Sequence, residues 1–63
     1  MRKPYRLYDV YDDPEFLGAF DTMEDVRNAC RERDKETDGE WIPMLIDRNR
    51  PAGDRRIIEN WTY

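Results

Sequence analysis

Apolar and polar positions alternate along the first segment of the chain. From Pro4 to Asp12, Tyr5, Leu7 and Tyr11 fall on one side of an extended backbone, and Tyr8 and Val10 on the other. That period of two predicts a strand. Asp12-Asp13-Pro14-Glu15 interrupts it, because proline fixes φ and aspartate bonds to its own backbone. A second short strand is predicted from Phe16 to Phe20, making a hairpin, and Gly18 within it marks a bulge or a close backbone approach.

The spacing then turns helical. Thr22 is a suitable N-cap with Asp25 three residues on, and Glu24 and Asp25 lie where the helix dipole favours negative charge. Met23, Val26 and Cys30 share a face with Ala29 beside them, and Arg31, Arg33 and Lys35 follow toward the far end. Gly39 reads as the stop, which gives a helix from about Thr22 to Thr37. Trp41 to Asp47 predicts a third strand. Pro43 inside it lacks a ladder donor and points to an edge position or a bulge. Asn49 to Asp54 is a loop with Pro51 and Gly53, and Arg56 to Tyr63 is the fourth strand. The expected fold is α+β, one domain spanning residues 1–63 in the order β-β-α-β-β. It is a four-stranded, mainly antiparallel sheet with one helix on one face.

One helix covers one face of a sheet, yet three of the four strands are apolar on both sides. Ile42, Met44 and Ile46 oppose Trp41 and Leu45, and Ile58 opposes Ile57, Trp61 and Tyr63. The larger rings collect at odd positions: Tyr5, Tyr11, Trp41, Trp61 and Tyr63. Sharing one face, they would form a second, aromatic surface of the kind found at protein interfaces. Folding back, they would close over a single core. An edge strand at Pro43 would offer a further route, strand addition by a partner.

Length limits what such a domain can do. A chain of 63 residues buries only roughly 60% of its unfolded surface and has little core to spare for a deep substrate cavity. Histidine, serine and glutamine are all missing, which removes the usual neutral-pH base, the serine nucleophile and the commonest zinc ligand. The expectation is a protein that is not an enzyme and needs no cofactor. A single cysteine, no leading signal segment and no long apolar run point to a reducing cytoplasm and away from membranes.

Charge is segregated. Residues 9–40 hold 12 acids and 4 bases, whereas Arg2, Lys3 and Arg6 stand without an acid, and Arg48, Arg50, Arg55 and Arg56 cluster around the last loop. Arginine forks suit carboxylate or phosphate groups. The same arginines also suit a solvated hairpin tip that offsets Asp47 and Asp54. A net charge of −4 argues against a general nucleic-acid binder, which usually shows a basic stripe. The acidic stretch from Asp21 to Glu40 reads as a solvated helix face or as a surface for a basic partner. Cys30, past mid-helix on the apolar side, reads as core. Asp9 and Glu59 suit salt bridges better than acid–base work. Asp9, Asp12, Asp13 and Glu15 lack the spacing and glycine of a calcium loop.

Trp41-Ile42-Pro43, Pro51-Ala52-Gly53 and Ile58-Glu59-Asn60-Trp61-Thr62 resemble, in that order, fragments of the MbtH-like family. Those small proteins bind and support adenylation domains of nonribosomal peptide synthetases, so the resemblance implies an accessory protein. The pieces are spread over about a third of the chain. The family places a helix between the last two pieces, where this chain has four residues, and no functional residue is carried over.

The resulting expectation is a protein-binding domain, a small regulator, inhibitor or accessory subunit. Its contacts would be Tyr5, Tyr11, Trp41, Trp61 and Tyr63, with Arg48, Arg50, Arg55 and Arg56 at the rim, and a homodimer through the same surface is a variant. The alternative is a nucleic-acid-binding domain that uses the arginine loop and stacks bases on strand aromatics.

Overall fold

The computed structural model describes residues 3–57. Strand β1 (Tyr5–Asp9) and strand β2 (Glu15–Phe20) form the predicted hairpin, with the Asp-Asp-Pro segment as its turn. Helix α1 (Met23–Thr37) follows, then strands β3 (Pro43–Asp47) and β4 (Arg56–Ile57). The sheet is antiparallel throughout and ordered β2-β1-β3-β4. The expected β-β-α-β-β fold is therefore the observed one. Ile58, Glu59, Trp61 and Tyr63, which the sequence assigns to the fourth strand, lie outside the described residues.

The helix begins as its sequence dictates. Thr22 is extended, and its hydroxyl oxygen accepts the Asp25 N–H at 3.2 Å. The end differs by one residue. The left-handed terminator is Asp38 (φ 56°), and Gly39 follows it, also left-handed, donating its N–H to the Asp34 carbonyl at 3.0 Å. Aspartate tolerates this conformation better than most side chains do, so the stop falls just before the glycine.

Leu7, Leu45, Val26 and Cys30 are fully buried and form the centre of the core. Leu7 and Leu45 face each other across β1 and β3, with Ile57 next to Leu45 across β4. Val26 and Cys30 come down from the helix at a spacing of four. Tyr5, Leu17, Phe20, Met23, Ala29 and Trp41 pack around them. Burial pushes the Cys30 thiol up to about 11, with the Asp34 charge adding to the effect. It is a core residue, as its helical position predicts.

The expected edge position at Pro43 is corrected, and the bulge expected at Gly18 is observed. Pro43 does not mark an edge, because β3 is an inner strand flanked by β1 and β4. Proline is tolerated there because it opens the strand, opposite Asp9 at the end of β1. Among the described residues the outer strands are β2 and β4. In β2 the register slips between Leu7 and Tyr8, so that Leu7 pairs with Gly18 and Tyr8 with Phe16. Leu17 is the extra residue of a bulge. A Cβ on Gly18 would stand 2.9 Å from Cζ of Phe20, which accounts for the glycine at this point.

Candidate functional site

Register decides which residues share a face. On the helix side, Gly18, Leu7, Leu45 and Ile57 form one row across the sheet, with Phe20, Tyr5 and Asp47 in the next. On the other side, Phe16, Tyr8 and Met44 form an apolar row, and Ala19, Arg6, Ile46 and Arg56 form its neighbour. Beyond the apolar row, Val10 donates its N–H to the Ile42 carbonyl at 2.8 Å, which continues the β1–β3 pairing past the strand ends. The second apolar face inferred from the sequence exists, but even-numbered residues build it.

Large apolar side chains on this face are only partly buried. Phe16 is 52% exposed and Ile42 49%. Tyr8, Met44 and Ile46 are half-buried, and none of the five packs on the core cluster. The Tyr8 and Phe16 rings lie tilted at 54°, with centroids 5.3 Å apart. The Arg6 guanidinium sits over Phe16, 5.9 Å from the ring centroid. No described helix or strand covers the face, whose charged residues among those paired in the sheet are two arginines and no acid.

The ring residues singled out from the sequence scatter. Tyr5 points to the helix side and packs on the core. Trp41 does the same, and its indole N–H donates to Asp34 Oδ1 at 3.3 Å. Tyr11 is 54% exposed beyond the end of β1. Trp61 and Tyr63 fall outside the described residues. Rings as large as Tyr5 and Trp41 are drawn inward because so short a chain has few other side chains able to close its core.

The arginines divide as well. Arg50 is tethered, 3.7 Å from the Asp47 carboxylate, and its carbonyl accepts the Arg55 Nε–H at 3.0 Å. Arg48 is exposed, and its backbone N–H donates to the Pro4 carbonyl at 2.9 Å. That bond holds the last loop against the start of β1. Arg48 and Arg55 therefore meet Lys3 and Arg6 around a groove of about 470 Å³. Arg56 opens β4 on the helix-free face, opposite Ile46.

A second polar cluster lies at the opposite end of β1. The buried Asp9 carboxylate accepts two hydrogen bonds from Arg33 at one oxygen, 3.1 and 2.8 Å. At the other it accepts the N–H groups of Tyr11 (3.0 Å) and Ile42 (3.4 Å). Burial alone would raise the carboxyl. The Tyr11 N–H, the Arg33 guanidinium and the Ile42 N–H outweigh it and hold the group below its ordinary value. Arg33 also reaches Glu15 (3.3 Å) and Glu36 (3.6 Å), and the Asp9 bonds raise its own pKa. The arrangement clamps the helix to the hairpin.

The chain matches no family model, no curated protein and no solved structure. Among the described residues no three carboxylates or thiols converge as metal ligands, and no helix is long and apolar enough to cross a membrane.

Proposed function

We propose that this is a non-enzymatic protein-binding domain, and that its contact surface is the helix-free face of the sheet. The observation that carries the reading is the apolar row Phe16–Tyr8–Met44 with Ile42 and Ile46 beside it, which no described helix or strand covers. A small domain gains most by burying such residues, and here they stand outside the core instead. The occupant is a different protein. A second copy would bring the arginine-bearing row, which has no acid, against its own like charges. The role that follows is that of a small regulator, inhibitor or accessory subunit.

The test is affinity capture from extract with and without nuclease treatment, comparing the wild type with a Phe16→Lys/Ile42→Lys variant of unchanged melting temperature. A protein retained by the wild type and lost by the variant is the expected result. Equal capture by both overturns the assignment of the face. Capture that disappears with nuclease moves the function to nucleic acid.

A further inference from the structure

The groove between β1 and the last loop has a composition unlike the rest of the molecule. Lys3 and Arg6 come from the start of the chain, Arg48 and Arg55 from the β3–β4 loop, and no acid is among the described residues around it. The remaining described surface is rich in carboxylates, with 12 acids against 4 bases over residues 9–40. Among the described residues none of these four cations forms an ion pair, while Arg33 and Arg50 do. The Arg6 Nε is shielded from solvent and makes no hydrogen bond. A shielded donor without an acceptor is costly, and an incoming oxygen anion would relieve it.

Arg6 also connects this groove to the helix-free face. Its guanidinium lies over Phe16, and its backbone sits between Ala19 and Ile46 in the row beside Phe16–Tyr8–Met44. A ligand on the apolar row thus has the cationic groove at its flank.

We infer that the groove receives the carboxylates of an acidic segment on the protein that covers the helix-free face. The inference rests on the function proposed above and names the chemistry of its partner, a stretch carrying apolar side chains with Asp or Glu beside them. An arginine fork binds a carboxylate through two parallel N–H···O bonds. A polynucleotide fits less well, since a long polyanion leaving the groove meets the acidic remainder of the surface.

The probe is a hexaglutamate peptide titrated into the full chain at low salt. It is read by the arginine Nε–H resonances and by fluorescence anisotropy. Hexalysine, inorganic phosphate and an oligothymidylate of matched length serve as comparisons. The expected result is a shift of the Arg6, Arg48 and Arg55 signals with hexaglutamate alone. Binding should fall about ten-fold in Arg48→Gln/Arg55→Gln, which removes two guanidinium charges from the groove, and should weaken as salt shortens the screening length. The Ile42→Lys change alone keeps this site, because Ile42 does not line the groove whereas Phe16 lies under the Arg6 guanidinium. The inference is overturned by hexaglutamate that moves no arginine signal, or by phosphate or oligothymidylate binding as tightly as the peptide. Equal affinity of the Arg48→Gln/Arg55→Gln variant overturns it too. A partner lost on the Phe16/Ile42 change and retained on the Arg48/Arg55 change sinks the groove and leaves the face. The reverse pattern sinks the face and leaves the groove.

Discussion

Arg33, two-thirds of the way along the helix, holds one oxygen of Asp9 at the end of β1 through two hydrogen bonds of 3.1 and 2.8 Å. The partners are 24 residues apart, so this contact belongs to the tertiary fold and not to any local element. It also fixes how the domain should respond to acid. The Asp9 carboxyl titrates below its ordinary 3.8 in the folded chain. Its contribution to stability is whole above that value and is lost as pH falls through the lower folded value. Thermal melts between about pH 2 and pH 6 should show wild-type stability dropping at the acid end. Asp9→Asn should start less stable near neutrality, by about 2 kcal/mol if one of the two backbone N–H groups loses its acceptor, and should lose less on acidification.

Cys30 answers at the opposite end of the pH scale. Its thiol is raised from 9.0 to about 11 by burial. The stability linked to the protonated thiol is complete below 9.0 and is lost as pH rises through about 11. Alkylation by iodoacetamide in native buffer should therefore proceed only at the rate of unfolding, and denaturant should release it at once. Rapid labelling of the native chain would show that the helix does not bury this position.

Leu7 and Leu45 meet across the two inner strands, and each is fully buried. Truncating either to alanine should cost about 2–5 kcal/mol. The whole stability of so small a domain is on the order of 5 kcal/mol, so each variant should lose a large part of it and melt at a much lower temperature by circular dichroism. The two losses should not add, because the residues share one contact.

Thr22 carries the start of the helix through a single side-chain bond to the Asp25 N–H. Thr22→Ala should lower stability by about 1 kcal/mol and Thr22→Ser by much less, as read from chemical denaturation. Equal losses in both would place the effect in the methyl group and not in the cap.

The face proposed for binding should tolerate change. Phe16 and Ile42 are each about half exposed. Phe16→Ala and Ile42→Ala should each shift stability by about 1 kcal/mol or less while weakening partner capture. A variant that unfolds instead would place the residue in the core.

Local signals carried the elements well. The Thr22 cap, the Met23/Val26/Cys30 stripe and the proline turn each depend on neighbours within one turn of chain, and all are observed where the sequence puts them. Strand order was not legible at Pro43. A strand's first residue and an edge strand impose the same demand on proline, and only the pairing of β3 with both β1 and β4 separates them. The odd-numbered rings Tyr5 and Trp41 pack on the core and not on a second face, because strands apolar on both sides leave the inner face unmarked by their rings. The informative residues were Leu7 and Leu45, which fix the odd positions of both inner strands to the core. Tyr8, Met44 and Ile46 then follow by alternation. Lys3 and Arg6 were visible as a basic start, and Arg48 and Arg55 as a basic loop. Their meeting follows from antiparallel pairing of segments about 40 residues apart, which no local pattern encodes.

The bulge at Leu17 has a bearing on how the molecule behaves in a crowd. As an outer strand, β2 turns one flank of backbone donors and acceptors away from the described sheet, on a domain that also shows an apolar face. A straight strand in that place would template edge-to-edge growth into fibrils. The extra residue bends β2 and spoils the regular register that a stacking copy would need, and Glu15 sets a charge at the strand's entrance. The irregularity that Gly18 makes room for therefore works against strand-to-strand stacking along this edge of the sheet.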